Sequence, residues 1–227
     1  MCGATPQLRR PSSGAVMTWA PQLEAVGRIA SSEERIAQYT RLLEQALHDT
    51  PSASLPSLVR TYVDGAVLDP VNTTGAGLLV GRHMLAHLAT QLAAAHIPAN
   101  ILCTIVSDTL ATCEASSIMG DDELGPWRVL LAEQYASLSR WRDAAQALQS
   151  ITPHAARRIP QLSFAQLCVR VVELWLQDLP THVAEAEQAI KRANSAILDE
   201  RDNKALVHEL WSYHARILAM QHRFMAV

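Results

Sequence analysis

Apolar residues recur along most of this chain at three- and four-residue spacing, the period of an amphipathic helix rather than of a half-buried strand. The first firm helix follows Ser31. Ser31 and Glu34 have the spacing of a capping box, and Ile36, Tyr39, Leu43, Ala46 and Leu47 share one face. Pro51 stops it. Residues 55–68 predict a second helix, ended by Asp69-Pro70, and Asn72-Thr73-Thr74-Gly75 reads as a loop. Residues 77–95 predict a long helix, and Pro98 opens another that runs to Ala115.

The second half carries a recurrence. Amphipathic helix starts fall at Asp122, Leu162 and Asp202, about 40 residues apart, the period of stacked helix pairs. Trp127, Leu130, Leu131, Tyr135 and Leu138 form one stripe, and Trp141, Ala144, Ala145 and Leu148 repeat it after a tight turn at Ser139-Arg140. Pro126 falls near the start of the first of these helices, where proline is tolerated. The next pair offers Phe164, Leu167, Cys168, Val171, Val172 and Trp175, then Val183, Ala186, Ile190, Ala193 and Ile197. Small residues at 144, 145, 186 and 193 let the second helix of each pair approach the first closely. The last helix, residues 204–221, presents Val207, Leu210, Trp211, His214, Ile217 and Leu218 with nothing after it to cover them.

These patterns predict an all-α fold, a right-handed α-solenoid of TPR/HEAT-like helix pairs. Each unit buries its apolar face only against its neighbours. The expected organisation is a disordered tail over residues 1–30, N-terminal helical repeats over 31–120, and TPR-like repeats over 121–227. The uncovered last helix predicts a chain cut short of further structure.

Composition narrows the function. The chain has 49% hydrophobic and 18% charged residues and a net charge of −3. That balance supplies no electrostatic case for nucleic acid or an anionic membrane as partner. Arg82 and Asp108 interrupt the longest apolar stretches before they reach the ~20 residues of a membrane span. The first 30 residues hold Arg9, Arg10 and one acid, Glu24, without the apolar core of a secretory signal. Cys2, Cys103, Cys113 and Cys168 show no metal-binding or redox spacing and read as thiols of an intracellular protein.

Catalytic signals are weak. His83 and His87 have the i, i+4 spacing of a zinc helix, but Met84 stands where such a motif needs Glu and no third ligand follows. Cys103 and Cys113 lie about 15 Å apart along one helix, too far to share an ion. Gly75-Ala76-Gly77 is too short to cradle phosphate, and no Gly-x-Ser-x-Gly elbow occurs. An enzyme with an unfamiliar helical site is the rival class, and the lack of a convergent acid, base or nucleophile set argues against it. No catalytic, cofactor-binding or metal-binding residue is assigned. Trp127, Trp141, Trp175 and Trp211 read as core spacers. Arg142 and the pair Arg157-Arg158 are the candidate protein-interaction residues, with residues 95–121 as a further contact region.

The order of several segments resembles a known family. These are Gly81-Arg82-His83-Met84-Leu85; Val129-Leu130-Leu131-Ala132-Glu133-Gln134-Tyr135; Trp141-Arg142-Asp143-Ala144-Ala145-Gln146-Ala147-Leu148 leading to Ile151; Leu174-Trp175-Leu176; Ala184-Glu185-Ala186-Glu187; and Arg192-Ala193. Together they are similar to subunit 4 of the COP-9 signalosome, over residues 32–224, with 141–151 the most specific stretch. The paralogous lid subunit of the proteasome regulatory particle is the alternative. The resemblance implies a noncatalytic scaffold in a complex that deneddylates cullin–RING ubiquitin ligases. It also implies a cytoplasmic and nuclear location, no cofactor, and partners that include a metal-dependent isopeptidase on another subunit and the ligases themselves. Members of the family continue into a PCI domain with a winged helix, which this sequence lacks, and that departure puts integration into the complex in doubt.

Overall fold

The computed structural model describes residues 19–159, 162–179, 181–199 and 204–225, with the side chains of 199 and 222–225 left aside. Every regular element among them is helical. In chain order the α-helices are α1 (Trp19–Gly27), α2 (Ser32–Asp49), α3 (Leu55–Tyr62), α4 (Pro70–Thr73), α5 (Leu78–Ala94), α6 (Ala99–Ser116), α7 (Asp121–Ser137), α8 (Trp141–Gln149), α9 (Pro153–Ala156), α10 (Phe164–Gln177), α11 (Val183–Asp199) and α12 (Lys204–Met225). Stacked antiparallel helices make the expected α-solenoid. The repeat starts sit within two residues of those predicted, at Asp121, Phe164 and Lys204.

The N-terminal third is built around a buried polar cluster. Ser31 caps α2 through the Glu34 N–H, as its spacing predicts. The buried face of α2 is Arg35, Tyr39, Leu43 and Ala46, so a guanidinium joins the apolar stripe. Arg35 Nη1 donates to Asn72 Oδ1 at 2.8 Å, and Asn72 Nδ2 donates to the Ala66 carbonyl at 2.9 Å and to the Tyr39 hydroxyl at 3.3 Å. Asn72 is fully buried. The sequence places it in a loop. In the structure, Asp69 caps the short helix α4 by accepting from the Val71 N–H, and α4 turns Asn72 inward.

Two glycines make this close approach possible. A Cβ on Gly77 would stand 1.8 Å from the Val71 carbonyl oxygen, and one on Gly81 would stand 2.8 Å from that of Val67. Only hydrogen fits at either position. Between α3 and α4 the chain makes a π turn over Val63–Val67, where the sequence predicts unbroken helix to residue 68.

Part of the expected tail is ordered. Trp19–Gly27 forms α1, and Leu23 and Val26 bury against the first core, because the amphipathic spacing of a short segment suffices once a core is there to receive it. Residues 1–18 of that expected tail lie outside the described residues.

Helix α7 joins the two halves. Its first turns, through Leu124, Trp127, Leu130 and Leu131, belong to the N-terminal core, and Ala132 opens the C-terminal core. Pro126 lies in its second turn and removes the backbone bond to residue 122. The helix continues through it, and a Cβ on the neighbouring Gly125 would already touch the Ala155 carbonyl at 3.4 Å and Ile159 at 3.5 Å. Leu138, expected in the stripe, is exposed at the C-terminal end. Ser139 then takes a left-handed φ of 56° to close the turn into α8.

The repeats pack as their small residues require. Ala144, Ala145, Ala186 and Ala193 are all completely buried. Helix α10 is apolar on most of its circumference and lies against α8, α11 and α12. On α12 two adjacent stripes part company. Leu206, Leu210 and Ile217 turn into the core, while Trp211 is 70% exposed and Leu218 43% exposed. Trp211 is therefore not a core spacer: it sits about 100° around the helix from Leu210, enough to move it off the buried arc. Trp127 and Trp175 are buried as expected, and Trp141 is half-buried.

Two stability outcomes follow. Asn72→Ala strands Arg35 in the core and should cost about 2–3 kcal/mol in urea unfolding. Ala145→Trp should cost about 1–3 kcal/mol by overpacking the α7–α8 pair, with lowered melting temperature and helicity by circular dichroism.

Candidate interaction site

Three arrangements of polar side chains stand out against this helical frame. The first is an ion-pair network at the start of α7. Three acids, Asp121, Asp122 and Glu123, sit in its first turn, where the helix dipole favours negative charge. Glu123 also reaches back to accept from the Gly120 N–H at 3.0 Å. Arg82 on α5 approaches Glu123 at 3.1 Å, and Arg158, beyond α9, approaches the same oxygen at 3.1 Å and Asp122 at 3.4 Å. His154 lies 2.6 Å from Asp122. Arg128 ties Glu114 of α6 and Asp121 together and donates to the Ser150 carbonyl. The network joins elements of both halves around one helix N-terminus.

The second is Arg192 on α11. Its two terminal nitrogens donate to the carbonyls of Gln149 at 2.7 Å and Ile151 at 2.9 Å, groups left open where α8 ends. The guanidinium also faces the Phe164 ring, 5.2 Å from its centroid. A planar fork suits two adjacent carbonyls, which explains an arginine here rather than a lysine.

The third is a groove of about 470 Å³ that opens between α7 and α10, with the start of α12 alongside. Val129, Ala136, Leu162, Val169 and Leu206 supply apolar surface. Glu133, Arg170, Glu173 and Glu209 supply charge, and Arg170 pairs with Glu173. Partial burial raises the Glu133 carboxyl above the usual carboxylate range, opposed by the field of Arg170. Glu209 accepts from the Tyr213 hydroxyl at 2.8 Å, and burial together with that bond pushes the Tyr213 phenol up to about 12.

The residues singled out in the sequence scatter. Arg142 and Arg157 are exposed, on α8 and just after α9. Arg158 is exposed too, and it pairs with Asp122 and Glu123. Cys103, Cys113 and Cys168 are buried, and burial pushes the Cys113 thiol up to about 11. Such a thiol holds its proton at neutral pH and is a poor nucleophile. Among the described residues no three His, Cys, Asp or Glu side chains gather as a metal ion requires, and no helix is long and apolar enough to cross a membrane.

The groove's acids at 133, 173 and 209 recur at close to the repeat period of about 40 residues, a signal of it that the sequence carries. Arg192 stands in one of the segments that carry the family resemblance, with no role attached to it there.

No protein-family model matches the chain. It is similar to COP9 signalosome complex subunit 4 of Caenorhabditis elegans, with 27% identity over 207 residues covering 86% of this chain and 48% of that protein. The chain is a distant relative of that subunit. It spans about half the relative's length. The similarity runs across most of the helical array, including both cores, and is not confined to one repeat.

Two measurements check the energetics of this region. Arg192→Ala should destabilise by about 2 kcal/mol in urea unfolding, with Arg192→Lys recovering less than half because an ammonium does not span both carbonyls. Glu133→Gln should raise the melting temperature at pH 7 and do so less at pH 4. The sign follows from the raised pKa: the folded chain binds that proton more tightly than the unfolded chain. Its stabilising effect is therefore present at low pH and lost as pH rises through the folded value.

Proposed function

We propose that this protein is a noncatalytic scaffold subunit of a signalosome-type complex, holding partner proteins along the surface of its helical repeats. The similarity to a signalosome subunit over 86% of the chain carries the reading. The architecture suits it: stacked helix pairs expose a long surface made from many repeats. On this reading the chain works with other signalosome subunits, among them the metal-dependent isopeptidase that removes a ubiquitin-like modifier from cullin–RING ligases. The catalytic centre belongs to that other subunit, and the chain resides in cytoplasm and nucleus. Arg142 and Arg157, exposed on neighbouring elements, are proposed contacts for acidic partner surfaces. Arg158, exposed as well, is proposed alongside them, its guanidinium positioned by Asp122 and Glu123.

The test is affinity purification of the tagged chain from its own cells, followed by mass spectrometry. Signalosome subunits and cullins are expected. Recovery of proteasome lid and ATPase subunits would move the chain to the other complex, and recovery of chaperones alone would refute a scaffold role. Arg142→Glu with Arg157→Glu should lower the recovery of partners several-fold while leaving the melting temperature unchanged, because neither side chain has a carboxylate partner among the described residues.

A further inference from the structure

Glu133, Glu173 and Glu209 come from three different helices, α7, α10 and α12, and line one groove with a single guanidinium, Arg170. The floor between them is aliphatic. We propose that this groove docks a cationic amphipathic segment of a partner protein, with a Lys or Arg set among the three carboxylates and aliphatic neighbours on the floor. The inference rests on the scaffold reading and names the chemistry of one partner surface.

Charge and shape together select this occupant. Three carboxylates against one guanidinium leave an excess of negative charge, and low-dielectric walls concentrate its field. A like-charged segment or a nucleic acid backbone would be repelled. A purely apolar segment would desolvate the acids without compensation. A lysine or arginine satisfies both parts of the groove, because its methylene stem covers apolar surface while its head meets the carboxylates. The volume of about 470 Å³ suits a few side chains of a docked segment rather than a folded domain. Arg170 is committed to Glu173, so it props the wall and does not fill the site.

Fluorescence anisotropy with the full chain tests this. The probe is a labelled amphipathic helical peptide of about 18 residues made from Leu and Lys, and the comparison peptide replaces every Lys with Glu. The Lys peptide should bind and the Glu peptide should not. Glu133→Lys with Glu209→Lys should weaken binding by about tenfold or more, while Glu44→Lys, on the exposed side of α2, leaves it unchanged. Circular dichroism verifies that the double variant is folded, and Glu209→Lys alone carries the same comparison should it melt early.

Equal binding of both peptides, or an affinity indifferent to the double variant, would overturn the assignment. So would tighter peptide binding in an Arg9→Glu, Arg10→Glu chain, because the protein's own Leu8-Arg9-Arg10 segment would then be the occupant. Repeating the affinity purification with the double variant separates this inference from the scaffold reading. Selective loss of one partner supports the groove. An unchanged set of signalosome partners rejects the groove and leaves the scaffold role standing.

Discussion

A pair of short helices cannot bury its own apolar face, and everything in the C-terminal half depends on that constraint. Helix α8 offers only Ala144, Ala145 and Leu148 to the core, too little for a stable unit by itself. It is held because α7 lies on one side and α10 on the other. Helix α10 in turn is apolar on most of its circumference and needs α8, α11 and α12 together. Small residues set the spacing. Alanine at the contact positions draws the helices together, and larger residues such as Trp175 and Ile190 fill what remains.

The N-terminal half solves a different problem. Its core contains Arg35 and Asn72, polar groups that would be costly to bury without partners. Each becomes the other's partner, and the hydrogen bonds of Asn72 to Ala66 and Tyr39 fix the π turn and α4 in place around them. The ion pairs at the start of α7 then join this half to the repeats. Each joins a largely covered side chain to a more exposed one, and solvent at the exposed member keeps each pair modest. Their position matters more than their number: they converge on one helix terminus from α5, α6 and the segment after α9.

These features bear on function through geometry. A shared helix and a networked joint make one continuous array of the two cores, and that array places acids from three helices around one apolar groove. Cys103 and Cys113 are buried with raised pKa values, and the charges described join helices or line the groove. A scaffold uses such an arrangement directly, since shape and charge distribution are all it must present to its partners.

Periodicity alone was enough for the all-α class, the repeat starts, the capped start of α2 and the buried alanines at 144, 145, 186 and 193. Each of these is a local consequence of side-chain spacing on a helix of fixed pitch. Residues acting across long sequence separations were a matter for the tertiary structure. Asn72 is an unremarked loop residue until α4 turns it toward Arg35, and Arg158 is a surface charge until Asp122 and Glu123 face it. Trp211 and Leu210 are neighbours in one apolar stripe, and only the positions of α10 and α11 decide which is covered. Helical period states which residues share a face; the packing of distant helices states what that face meets.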